Sequence, residues 1–157
     1  MYRCDTVALV NSAVHPPAIA IRDVHVARGA AGMVLRGLTL TIAAGETLAL
    51  VGRSGAGKST VLKLINGLIA PDRGDVVVEG RSTREWNPFE LRRRIGYVLQ
   101  EIGLFPHLTV GDNVAVVPRL LGWDAARVAS RVGEMLRLVG LPPETYAARP
   151  ALDLSGG

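Results

Sequence analysis

One run constrains this chain more than any other: Gly52-Arg53-Ser54-Gly55-Ala56-Gly57-Lys58-Ser59-Thr60. Glycines at 52, 55 and 57 let the backbone turn tightly and aim successive N–H groups at one point, a nest for an anion. The flanks agree. Thr47–Val51 is almost wholly apolar, which predicts a strand buried on both faces, and Lys58–Leu68 carries Val61, Leu62, Leu64, Ile65 and Leu68 at helical spacing. A helix opening at Lys58 adds the positive end of its dipole to the same spot. Lys58 then offers a point charge to β- and γ-phosphates, and Ser59 a hydroxyl to Mg²⁺. Strand, loop and helix together read as a phosphate-binding loop. The loop alone leaves ATPases, GTPases and small-molecule kinases all open.

Composition narrows the setting. A length of 157 residues suits one domain, and 48% hydrophobic against 4% aromatic residues points to an aliphatic core. No apolar run approaches the ~20 residues that cross a bilayer. Val7–Val10 is broken by Asn11 and preceded by Asp5, a poor signal peptide, so a cytoplasmic location is expected. Cys4 is the only cysteine and excludes an internal disulfide. The net charge of +4 does not make a nucleic-acid surface: the basic residues are scattered and no aromatics interleave with them. Their one run, Arg92-Arg93-Arg94, reads as a solvated strand edge or helix end.

Residues 1–17 lack periodicity and end in Pro16-Pro17, a loose leader. Alternation at Ile19, Ile21, Val24 and Val26 predicts a strand over 18–27, followed by a turn at Gly29–Gly32. Leu38–Ile42 is a second strand, ending in the hairpin-like Ala43-Ala44-Gly45-Glu46. Past the loop and its helix, Pro71–Gly74 is a turn and Asp75–Glu79 a further strand. A short helix after Pro88 and a strand over Ile95–Leu99 follow. From about Gly103 the pattern is helical: Asp124 caps a helix through Val139, with Val128, Val132, Met135 and Val139 on one stripe. Gly140 closes that helix, and Pro142-Pro143 prevents its continuation.

Two further features decide among the nucleotide-binding classes. Val98-Leu99-Gln100 ends an apolar run in an amide, and Leu154-Ser155-Gly156-Gly157 is a signature-like tetrapeptide. Singly they read as a strand-end residue and a flexible tail. In order and together with the loop, over about residues 18–157, they resemble the ATP-binding cassette (ABC) transporter ATPases. The resemblance implies an α/β P-loop NTPase fold, incomplete here: an antiparallel β subdomain, part of a RecA-like core, and a helical subdomain at about 103–157. It implies that Gly52–Thr60 bind ATP, and that Ser59 and Gln100 meet Mg²⁺, with Gln100 sensing the γ-phosphate. Ser155, Gly156 and Gly157 would close over ATP held by the opposing subunit of a homodimer or paired ATPase. A narrower likeness lies in Ile95-Gly96-Tyr97-Val98-Leu99-Gln100-Glu101-Ile102-Gly103-Leu104-Phe105-Pro106-His107 and Val116–Trp123. These resemble the glycine betaine/carnitine/choline (osmoprotectant) importer ATPases. That implies a membrane permease partner met through Leu104 and Phe105, and a peripheral place on the inner face of the cell membrane.

The sequence also departs from the family. Members carry an adenine-stacking aromatic near the end of the first strand; here Arg28 holds that place, with no aromatic residue between positions 3 and 85. A guanidinium plane can stack on a base. In the family the signature is followed by a helix, then an apolar strand ending in Asp-Glu, then a switch His. No such residues follow within these 157 positions. Val76-Val77-Val78-Glu79 has the apolar-then-acid look but reads as a surface strand of the β region, and His15, His25 and His107 are misplaced for the switch. The expectation is a chain that binds ATP, lacks a general base, hydrolyses ATP negligibly and is marginally stable alone. A non-catalytic remnant with weak nucleotide binding is the alternative reading. A P-loop kinase would need an acceptor site and a lid, and Gln100 with Leu-Ser-Gly-Gly counts against it.

Overall fold

The computed structural model describes residues 17–28, 32–100 and 103–154. The leader (save Pro17), most of the Gly29–Gly32 turn, and Ser155, Gly156 and Gly157 lie outside the described residues. The chain divides into two compact units, one ending at Ile95 and one beginning at Gly96.

The first unit is a four-stranded antiparallel sheet in the order β2-β1-β3-β4, with β1 Ile19–Ala27, β2 Met33–Ile42, β3 Arg73–Val78 and β4 Arg81–Ser82. Its helices are α1 Lys58–Ile65 and α2 Pro88–Arg94. The alternation in β1 turns Ile21, Val24 and Val26 inward, and all three are buried. A register shift between Ile21 and Val24 is a bulge at which Asp23 takes a left-handed φ of 46°. Gly74 lies against it so closely that a Cβ would collide with the carbonyls of Arg22 and Asp23. The bulge turns the Asp23 carboxylate outward to His25 at 3.1 Å and Arg73 at 3.2 Å.

α1 buries Val61, Leu64 and Ile65 in one cluster with Ile21, Val76, Val78 and Leu91. Each such aliphatic contributes roughly 1.5–3 kcal/mol relative to exposure. This packing fixes where α1, and hence its N-terminus, stands on the sheet. β3 corrects one expectation: Val76, Val77 and Val78 are buried, all three pair with β1, and Val77 and Val78 pair with β4 as well, so the strand is interior, not a surface strand. Glu79 lies just past it in a two-residue turn with Gly80, both at positive φ, where it pairs with Arg94 at 2.9 Å.

Two expected strands do not form ladders. Thr47–Val51 and Ile95–Leu99 belong to no sheet among the described residues. Val51 is 95% exposed and Val98 94% exposed, while only Ile95 packs on the core. An apolar, β-branched run records readiness to pair; the ladder itself needs a neighbour to supply N–H and C=O groups. Among the described residues no strand lies beside either run.

The second unit is helical: α3 Val110–Leu120, α4 Ala125–Leu138, the single turn α5 Pro143–Tyr146, and a 3₁₀ turn Ala151–Asp153. Thr109 caps α3 by accepting from the Asp112 N–H at 3.0 Å, and Asp124 caps α4 by accepting from Arg127 at 2.8 Å. α4 ends in a Schellman motif: Gly140 N–H donates to Arg137 O at 3.0 Å and Leu141 N–H to Leu136 O at 2.9 Å. The expected stripe shifts at its end. Val128 is buried, but Val139 is the C-cap and 67% exposed, and Leu136 at 2% takes the inward place. The unwinding at Gly140 turns Val139 off the stripe.

Candidate functional site

Gly52–Thr60 forms one continuous loop-to-helix transition, as its spacing predicts. Gly57 is the pivot. It is the N-cap of α1 with φ 91°, and a Cβ there would stand 2.8 Å from Leu35 Cδ2 and 3.3 Å from Val34 Cγ1. Only glycine satisfies both the dihedral and the space. Gly55 also takes a positive φ, 81°, in open surroundings, while at Gly52 an added Cβ would crowd Ala56 Cβ at 3.2 Å. Ala56 N–H closes a turn onto Arg53 O at 3.1 Å.

The first helical bond runs from Val61 N–H to Gly57 O at 2.9 Å. The N–H groups of Lys58, Ser59 and Thr60 therefore precede the intrahelical ladder. Among the described residues no side chain caps them, and no acidic residue occupies the first turn of α1. The aligned dipoles and free donors make this end attractive to anions. Lys58 folds back over the loop, its Nζ donating to Gly52 O at 2.7 Å and Arg53 O at 2.9 Å. These neutral carbonyls hold the ammonium at the loop mouth, and an anion there would compete for it with full charge. Ser59 is exposed beside it and Thr60 half-buried.

The far end of α1 is fastened by a residue whose role the sequence left undefined. Arg92 Nε donates to Asn66 O at 3.3 Å and its terminal nitrogen to Gly67 O at 2.9 Å, satisfying carbonyls past the helix end. Arg92-Arg93-Arg94 is thus the last turn of α2, and its cations suit that helix end.

The other expected residues fall elsewhere. Arg28 is exposed directly after β1, its N–H bonded to Gly32 O at 2.9 Å. Gln100 belongs to the second unit, on an exposed bend after Gly96–Leu99. Leu104 and Phe105 are exposed at 41% and 49%. Their turn is locked by Asn113 of α3, which sequence reading missed: Asn113 Oδ1 accepts from Phe105 N–H at 2.7 Å, and its Nδ2 donates to Phe105 O at 3.1 Å and Thr109 O at 2.9 Å. Asp112 takes the Thr109 hydroxyl at 2.8 Å and pairs with Arg119 at 2.9 Å. The Thr109 hydrogen bond first, and then Arg119, hold its carboxyl below the usual carboxylate range.

Known proteins resemble this chain in both sequence and fold. Residues 35–157 match the family described as ABC transporter. The osmoprotectant import ATP-binding protein OsmV of Salmonella typhimurium is 45% identical over 120 residues, 76% of this chain and 31% of the relative. The glycine betaine/carnitine/choline transport ATP-binding protein OpuCA of Bacillus subtilis is 47% identical over 120 residues, again 76% of this chain and 31% of the relative. The chain spans about a third of the length of these relatives. Among solved structures, the dimeric post-hydrolysis state of the ATP-binding cassette MJ0796 bound to ADP and Pi superposes with a TM-score of 0.74 at 30% identity, covering 88% of this chain and 63% of that one. The fold is accordingly the α/β P-loop NTPase fold of ABC ATPases, represented in part. Loop geometry, family match and structural likeness agree, and the chain belongs to the ABC transporter family.

Proposed function

We propose that this chain is the nucleotide-binding part of an ABC importer ATPase that serves the uptake of osmoprotectants of the glycine betaine, carnitine and choline class. The observation that carries the reading is the N-terminus of α1: three N–H groups ahead of the ladder, no acid in the first turn, and Lys58 Nζ held, among the described residues, by two neutral carbonyls. That donor set fits the phosphates of ATP. Gly52 through Ala56 would wrap the chain of phosphates, Gly57 would open the helix, and Lys58 would exchange its carbonyl partners for phosphate oxygens. Ser59 and Gln100 offer an hydroxyl and an amide oxygen, hard ligands suited to Mg²⁺. A divalent cation held by these residues would supply positive charge to offset that of the phosphates. The guanidinium plane of Arg28 would stack on adenine in place of an aromatic ring.

Ser155, Gly156 and Gly157 would complete the site of an opposing subunit in a dimer, a reading supported by the dimeric neighbour. Leu104 and Phe105, exposed on a turn that Asn113 holds by three hydrogen bonds, would anchor a membrane permease, and the protein would then lie at the inner face of the cell membrane. No helix among the described residues is long and apolar enough to cross a membrane. The osmoprotectant class rests on the names of the relatives. The 157-residue chain alone would bind ATP without appreciable turnover. In support, Thr47–Val51 and Ile95–Leu99, which lead into the loop and Gln100, have no strand alongside them among the described residues. The family's Asp-Glu pair would sit on such a strand.

Calorimetric titration with Mg-ATP tests the reading. Binding that falls at least tenfold in Lys58→Ala, with phosphate release at the buffer rate, is expected; Lys58-independent binding, or sustained turnover by the pure chain, would overturn it.

A further inference from the structure

β1 ends beside the residue given above to the nucleobase, and a side chain from a distant part of the sequence holds that end. β3 begins at Arg73, opposite His25, so the β1–β3 ladder stops two residues before Ala27. Asp72 takes over from there. Its N–H donates to His25 O at 3.0 Å, and its carboxylate Oδ2 accepts from Ala27 N–H at 2.6 Å. The side chain thus stands in for the carbonyl that a longer β3 would have supplied. An ionised acceptor makes the stronger kind of hydrogen bond, and this one meets a strand-end N–H that the ladder leaves over.

The carboxylate is presented from a loop that is fixed on both sides. Pro71 is buried, and its carbonyl accepts from Arg84 Nη2 at 2.9 Å. On the other side Gly74, at φ 85°, lies so close under the β1 bulge that no Cβ fits against the Arg22 and Asp23 carbonyls. Arg73, between Asp72 and Gly74, pairs with Asp23 at 3.2 Å. Backward along the chain the loop leads to Gly67 and Asn66, which Arg92 holds, and then into α1. One covalent run therefore joins the phosphate end of α1 to the end of β1, and the Asp72 carboxylate is its last joint. Arg28 follows Ala27 directly and is exposed, its own N–H given to Gly32 O at 2.9 Å across the turn toward β2.

We infer that Asp72 is a positioning residue for the nucleobase: by pinning Ala27 N–H it sets the backbone from which Arg28 reaches the base. The inference rests on the nucleotide reading above and adds to it a residue that touches neither base nor phosphate. A guanidinium at the end of a long side chain stacks well only when the backbone beneath it is fixed, since ordering that side chain already costs binding energy. The phosphate donors of Gly52–Thr60 do not pass through this joint. Loss of Asp72 should therefore be felt by a nucleotide and not by a bare chain of phosphates.

Calorimetric titration of the full chain with Mg-ATP and with Mg-tripolyphosphate, which has phosphates and no base, separates the two. Asp72→Ala should weaken ATP binding about fivefold and leave tripolyphosphate binding unchanged. Asp72→Asn, which keeps an oxygen acceptor for Ala27 N–H, should restore most of the ATP affinity. Arg28→Ala should match Asp72→Ala in both titrations, and combining the two should add nothing further. Unchanged ATP binding in Asp72→Ala, an equal loss for both ligands, or additive losses in the double variant would each overturn the proposal. So would Arg28→Ala binding ATP as the native chain does, an outcome that needs no variant at position 72 to fold. A native chain that fails to bind tripolyphosphate would overturn the nucleotide reading itself, and this inference with it.

Discussion

Gly57 carries two constraints at once, one dihedral and one steric, and they act on different properties. Its φ of 91° costs an L-residue roughly 1–2 kcal/mol. A Cβ would also stand 2.8 Å from Leu35 Cδ2, inside the core that anchors α1. Gly57→Ala should therefore lower stability by about 2 kcal/mol and weaken ATP binding together, as a thermal melt and a titration on the same sample would read. Lys58→Ala should weaken binding while leaving the melt in place, because its two bonds are to exposed loop carbonyls. Asp112 makes a different prediction. Its folded carboxyl is held below the ordinary value near ~3.9, by Thr109 first and Arg119 next. A depressed acid binds fewer protons folded than unfolded near that value, so its contribution to stability is full above about pH 5 and fades as pH falls through the folded value. Melts at pH 6 and pH 3 should differ less for Asp112→Asn than for the native chain; an unchanged difference would remove Asp112 from the account.

At the scale of elements, how much could be read in advance depends on how local the cause is. Caps and periodicity are local. Asn87 before Pro88, Asp124 before α4 and Gly140 after it all act within a few residues, and α1, α2 and α4 begin where the sequence places them. Asp124→Ala should cost about 1 kcal/mol, seen as a lower melt of helical circular dichroism without loss of nucleotide binding. The loop was legible for the same reason: its glycines, Lys58 and Ser59 are consecutive. What escaped was non-local. Arg92 reaches back to Asn66 and Gly67 across a gap of 25 residues or more, and Asn113 clamps a turn eight residues away. α3, with Pro118 inside it, merged into a general helical region. The apolar runs at 47–51 and 95–99 erred in the opposite direction, since strand propensity was real but pairing belongs to a partner.

Those two runs set the behaviour of the whole molecule. Val51 and Val98 are almost fully exposed, and Leu48, Leu50, Tyr97 and Leu99 are each more than a third exposed. Extended, apolar backbone with unpaired N–H and C=O groups is a template for strand addition. The chain's net charge of +4 opposes association only weakly at ordinary ionic strength, where screening acts within about 10 Å. The 157-residue chain should therefore self-associate through these runs even while its sheet and helices remain folded. Val51→Lys with Val98→Lys places a charge on each run at positions that touch little else, so neither core loses packing. Light scattering should show concentration-dependent growth for the native chain and a monomer for the double variant, with matching melts and matching far-ultraviolet spectra. Growth that persists in the double variant would move the source of association to another surface. A lowered melt would mean that these runs are packed in solution and already have the partners that a strand requires.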